Sequence, residues 1–173
     1  MPMLAGQGAP LVRCGMPILA AEVRQRLPQW AGGTQARAAL WVEPMVESWQ
    51  VGLESLSAGL EGEGVLYIIA SRPLARLLPE RRDWPGEPLG LQSGGLHRLR
   101  RALRDRGFLV EEEYGLHTPV AVGLNLLGTQ LARWGRPDLG DRFDFAARLR
   151  YCTAGPMAAL STVALWVTRR SPA

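Results

Sequence analysis

Two side chains in this sequence stand where a strand is expected to end, and each is of a type that moves protons. Glu43 follows the apolar run Ala38–Val42 and precedes Pro44 and Met45. A carboxylate there can accept a proton or a hydrogen bond. It can equally help to start the next helix, whose N-terminal dipole favours negative charge. His117 lies in Tyr114-Gly115-Leu116-His117-Thr118-Pro119, just after the run that begins at Phe108. An imidazole titrates near neutrality and suits a general base; a surface or capping histidine is the other reading of the same residues. Trp41 and Trp49 read as core or interface, with an aromatic substrate wall as the alternative. Arg98, Arg101 and Arg104 lie off the stripe Leu96, Leu99, Leu103. Such a run either contacts phosphate or forms a solvated helix face, which Asp105 and Glu111-Glu112-Glu113 partly neutralise. Cys14 and Cys152 have no CxxC partner, and the two histidines, His97 and His117, are far apart, so no metal site is expected. Two unpatterned thiols suggest a reducing compartment.

The elements that must position these groups come from an ordinary globular composition. The chain has 173 residues, 47% hydrophobic and 21% charged, enough for one domain with a real core. Every basic side chain is arginine, and the net charge is +4. That balance permits anionic partners without requiring them, and nucleic-acid contact is not the expectation. Arg, Glu or Pro breaks the apolar stretches before the ~20 residues of a membrane span. No membrane partner is therefore expected. Met1 to Pro10 lacks the charged and apolar regions of a signal peptide, and the expected location is cytoplasmic.

Residues 1–9 are rich in Gly, Ala and Pro and are expected to be a flexible N-terminus. Residues 10–170 read as one α/β domain. Its expected elements are a short strand at Pro10–Cys14, a helix from Pro17 to Pro28, and a strand at Ala38–Val42. A helix over Met45–Leu60 and a turn at Glu61–Gly64 precede the β-branched strand Val65–Ala70. Segment 71–93, with four prolines, reads as loop with one helical turn. The arginine-rich helix Gly94–Arg106 ends at Gly107, which takes a left-handed cap without a Cβ clash. Strand Phe108–Tyr114 follows, then a helical insert over 120–158 with helices Val120–Arg133 and Pro137–Arg150 and a loop at 152–158. The final strand is Ser161–Thr168, and 171–173 is a tail. This alternation predicts a mostly parallel sheet with helices on both faces, and the two late strands an antiparallel pair at one edge.

The order resembles the second half of a class I S-adenosylmethionine-dependent methyltransferase. The residues that carry the resemblance are Ala38–Glu43, the helix after it, Glu63-Gly64-Val65-Leu66-Tyr67-Ile68, and Leu103-Arg104-Asp105-Arg106-Gly107-Phe108-Leu109-Val110. The closing strand Val163–Val167, with Arg169-Arg170 after it, matches as well. The resemblance implies a Rossmann-like, methyltransferase-type sheet, here shortened, with residues 38–169 as strands four to seven. It implies S-adenosylmethionine as cofactor, with Glu43, Pro44 and Met45 beside the methyl group and Glu43 as an acceptor for an amine. It also places His117 near the mouth of the cleft and the insert over it as a lid or docking surface. The family's Gly-rich cofactor turn after the first strand has no counterpart: no G-x-G-x-G occurs. Only 37 residues precede Ala38, too few for three strands and their helices. The expectation is thus a methyltransferase-like protein, not active on its own, or a non-catalytic subunit that binds a partner protein. A shortened sheet would expose its edge along Ala38–Val42, to be covered by a second copy or a partner protein.

Overall fold

The computed structural model describes residues 11–14, 36–77 and 86–171. The expected helix from Pro17 to Pro28 and the N-terminal residues 1–9 lie outside them. The strands are β1 (Leu11–Cys14), β2 (Ala36–Val42), β3 (Leu60–Ser71), β4 (Phe108–Leu116), β5 (Cys152–Ala154) and β6 (Val163–Arg170). The helices are α1 (Trp49–Gly59), α2 (Gly95–Asp105), α3 (Pro119–Arg133) and α4 (Pro137–Leu149). Among the described residues the strands form one sheet in the order β1-β2-β3-β6-β4-β5. β1, β2 and β3 run parallel, and β6 runs antiparallel to both β3 and β4. The order, with the reversed closing strand set inside the sheet, agrees with the sheet that the resemblance implies.

Period-two burial shows why these segments are strands. Leu66, Ile68 and Ala70 on β3, with Ala164, Trp166 and Thr168 on β6, are buried, and their alternates are half-buried. The buried set meets Leu53 and Leu56 of α1 and Leu99 and Leu103 of α2, with Trp41 and Phe108 from the flanking strands. Trp41 is thus core, and Trp49 packs at its margin. Both α1 and α2 cover the same face, so among the described helices the two-sided cover expected of a parallel sheet is not seen.

Four expectations are corrected. The Ala38–Val42 edge is not open: β1 pairs along it, Leu11 with Ala39 through Cys14 with Val42. Glu61–Gly64 is not a turn but part of β3, where the register slips between Ala36↔Leu60 and Ala38↔Val65. Helix α1 begins at Trp49, not Met45, because Val46 donates instead to the Glu87 carbonyl and Met45 stands opposite Pro88 of the following loop in an isolated bridge. The 152–158 loop holds the short strand β5, paired with Tyr114–Leu116, and a 3₁₀ turn over Gly155–Leu160. No helix of the described residues is long and apolar enough to cross a membrane.

Candidate functional site

The C-terminal ends of β2, β3 and β4 point the same way, and both sequence-derived candidates stand there. Among the described residues, Glu43 and His117 are the non-glycine residues with positive φ, at 50° and 57°. Left-handed backbone is uncommon outside glycine. In each case it turns the chain sharply off a strand.

Glu43 is buried, 5% exposed. One carboxylate oxygen accepts the Ser71 hydroxyl at 2.6 Å and the other the Ser71 N–H at 3.2 Å. Its own N–H donates to the Ile69 carbonyl at 2.8 Å. The carboxylate therefore ties the end of β2 to the end of β3. Pro44 is fully buried and its carbonyl accepts the Leu89 N–H at 2.7 Å. Met45 is 8% exposed and bridges to Pro88. The 86–91 segment thus packs on Pro44 and Met45 and, through Gly90, on Ser71, the serine that Glu43 accepts from. Gly90 makes this approach feasible: a Cβ there would overlap the Ser71 carbonyl oxygen.

His117 stands apart from this corner. Two strands, β3 and β6, separate β4 from β2, so the two candidates are roughly 14 Å apart at ordinary strand spacing. The half-exposed imidazole stacks on Tyr151 with ring centroids 5.5 Å apart. The main chain of His117 is fully used. Its N–H donates to Tyr151 at 2.6 Å, and its carbonyl accepts both the N–H and the hydroxyl of Thr162, each at 3.2 Å. The structure does not bring Glu43 and His117 into one constellation.

A polar cluster that sequence reading missed lies on the helix-covered face. Glu113 of β4 takes Arg72 on one carboxylate oxygen and Arg100 of α2 on the other. The Arg100 guanidinium also sits 4.8 Å over the Trp166 ring. Burial raises the Glu113 carboxyl. The Trp166 indole N–H, which faces it without closing a well-formed hydrogen bond, and the two guanidinium groups outweigh that and hold it below the usual carboxylate range. Beside the cluster, Arg100, Arg104 and Phe108–Glu113 line a cleft of about 450 Å³. No group of three or more metal-ligating side chains occurs among the described residues.

The resemblance places S-adenosylmethionine beside Glu43–Met45. These three residues do not fit that role: both carboxylate oxygens of Glu43 accept from Ser71, and all three residues are buried. No step of a methyl transfer follows from them.

No family model and no curated protein matches the chain. Among solved structures it is similar to the mycolic acid cyclopropane synthase CmaA1 complexed with SAH and CTAB. The TM-score is 0.49 and the identity 15%, over 93% of this chain and 70% of that one. The cyclopropane synthase MmaA2 from Mycobacterium tuberculosis gives 0.49 and 13% over the same shares. A putative sarcosine dimethylglycine methyltransferase from Galdieria sulphuraria gives 0.38 and 10%, over 95% of this chain and 70% of that one.

Proposed function

We propose that this chain, which has a class I methyltransferase-like fold, is an S-adenosylmethionine-dependent methyltransferase-like protein that does not transfer methyl groups on its own. The observation that carries the reading is the sealed corner. Of the residues that the resemblance puts next to the cofactor, Glu43 ties two strands together, and Pro44 and Met45 are packed against a loop. Nothing in their geometry activates a substrate amine. The substrate of any active form follows from none of these residues.

A second reading is a non-catalytic subunit that holds a partner protein. It is favoured by β1, which is the terminal strand among the described residues. A terminal strand offers main-chain donors and acceptors to an added strand.

Isothermal calorimetry of the purified chain with S-adenosylmethionine and S-adenosylhomocysteine separates these readings from autonomous catalysis. The expected outcome is no binding at millimolar ligand. Micromolar binding to the isolated chain would overturn the proposal and return Glu43 to consideration as a ligand-facing group.

A further inference from the structure

The surplus charge of the chain sits on one helix. Residues 95–106, which are α2 and its cap, hold five arginines and one aspartate, a net of +4 that equals the net charge of the whole sequence. Outside this stretch acidic and basic side chains balance. Leu99 and Leu103 of α2 are buried in the core. At about 100° per residue, Arg98, Arg101 and Arg104 then fall on the outward side, within about 120° of one another. All three are exposed. The neutralisation expected of the neighbouring carboxylates does not occur. Glu113 is taken by Arg72 and Arg100, Glu111 by Arg169, and Glu112 accepts the Tyr114 hydroxyl. Asp105, exposed on the same side of α2, forms an ion pair with none of the three. Like charges one turn apart on a helix repel, so α2 carries this row at a cost to its own stability.

We propose that the outward face of α2 binds the phosphate backbone of double-stranded nucleic acid without sequence preference. The chemistry of the face selects that partner. Its fixed cations are all guanidinium groups, which meet phosphate oxygens through two parallel N–H donors. Its three arginines span about 9 Å along the helix axis, a rigid row rather than a loose tail. A protein partner is held by aromatic or aliphatic anchors at the centre of a contact, and a bilayer by apolar side chains that enter it. The face offers neither: the exposed residues over 95–106 are His97, Arg98, Arg101, Arg104, Asp105 and Arg106. Unpaired bases are held by stacking on aromatic side chains, and no Phe, Tyr or Trp stands in this row, which leaves the duplex. Contacts made to phosphate alone fix position and carry no sequence information. The cleft beside Arg104 is not part of the footprint, because Glu111 and Glu112 on its other wall repel phosphate.

Fluorescence anisotropy of a labelled DNA duplex of arbitrary sequence, titrated with the full chain at several salt concentrations, tests the proposal. The expected outcome is binding at low salt whose logarithmic affinity falls with the logarithm of salt at a slope of about −3, one unit for each arginine. Arg101→Ala should make that slope shallower by about one, and Arg101→Glu should weaken binding at low salt at least about tenfold. Both should leave the far-ultraviolet circular dichroism unchanged, because Arg101 is exposed. Arg142→Ala removes the same charge from an exposed position on α4 and should leave affinity and slope as they are. No binding at low salt would overturn the proposal. So would equal losses in Arg101→Ala and Arg142→Ala, which would make the attraction a matter of net charge alone. Tighter binding to a single strand than to the duplex, or displacement of the duplex by phosphatidylserine vesicles, would overturn it in favour of unpaired bases or a bilayer.

Discussion

Glu113 shows how one side chain can leave its expected surroundings. In sequence it is the third member of an acidic run, read as partly neutralising a solvated arginine face. In the fold it accepts two arginines across the sheet. The cause is the irregularity between Val110 and Glu112, where the pairing with β6 slips from Val110↔Thr168 to Glu112↔Val167. An extra residue in a strand reverses the alternation after it. Phe108 and Val110 face the helices before the slip, and Glu113, opposite Trp166, faces them after it. No residue type announces a bulge of this kind, so the cluster was not legible. The consequence is testable through pH. The folded-state carboxyl is lowered, so its stabilising contribution is complete above the unfolded value of about 4.3 and is lost as pH falls through the folded value. Glu113→Gln should therefore flatten the acid limb of a stability profile measured by urea unfolding. An unchanged acid limb would show that the arginines gain nothing from its charge.

At the scale of elements, the segment over 86–91 is the main departure from expectation. It read as loop because prolines crowd 71–93, and loop it largely is, yet it packs on Pro44, Met45 and Ser71. Its legible signal was Gly90, whose role becomes clear only when Ser71 is seen against it. Gly90→Ala would push a methyl group into the Ser71 carbonyl, and rigid main chain on both sides leaves no cheap relief. The Leu89 N–H would then leave the Pro44 carbonyl. We expect a loss of about 3 kcal/mol in urea unfolding. A loss within experimental error would mean that the segment is not clamped to the strand ends. The strongly periodic elements were read closely: Gly107 caps α2 with φ of 78° as expected, and α3 and α4 begin at Pro119 and Pro137. Boundaries slipped where partners distant in sequence decide them. Met45 left its helix for Pro88, and Glu61–Gly64 joined β3 despite two glycines.

Across the whole molecule, cohesion is uneven. The core joins β2, β3, β6 and Phe108 of β4 to α1 and α2, whereas α3 and α4 chiefly hold each other. Local opening follows buried apolar contact. Amide hydrogen exchange should therefore show β3 and β6 as the slowest segments, and α3 and α4 exchanging well before them. Equal protection across all four would mean that the hairpin unfolds only with the sheet. The alternation of strands and helices made the architecture readable, because each apolar run carries its own period. The candidate site was readable only in its location. Glu43 and His117 do end parallel strands, but whether a strand-end carboxylate faces a ligand or a neighbouring serine depends on Ser71, 28 positions away.

The position of β6 carries a consequence for how the protein is made. It is the last of the described strands to be synthesised, yet it lies between β3 and β4 and pairs with both. A chain emerging from the ribosome therefore holds two long ladders half-built, with the facing edges of β3 and β4 unpaired, until Val163–Arg170 has cleared the exit tunnel. Vectorial synthesis would leave these edges open to other nascent chains until β6 emerges. The interval between the emergence of β4 and that of β6, filled by the α3–α4 hairpin, is when a chaperone would have most to protect.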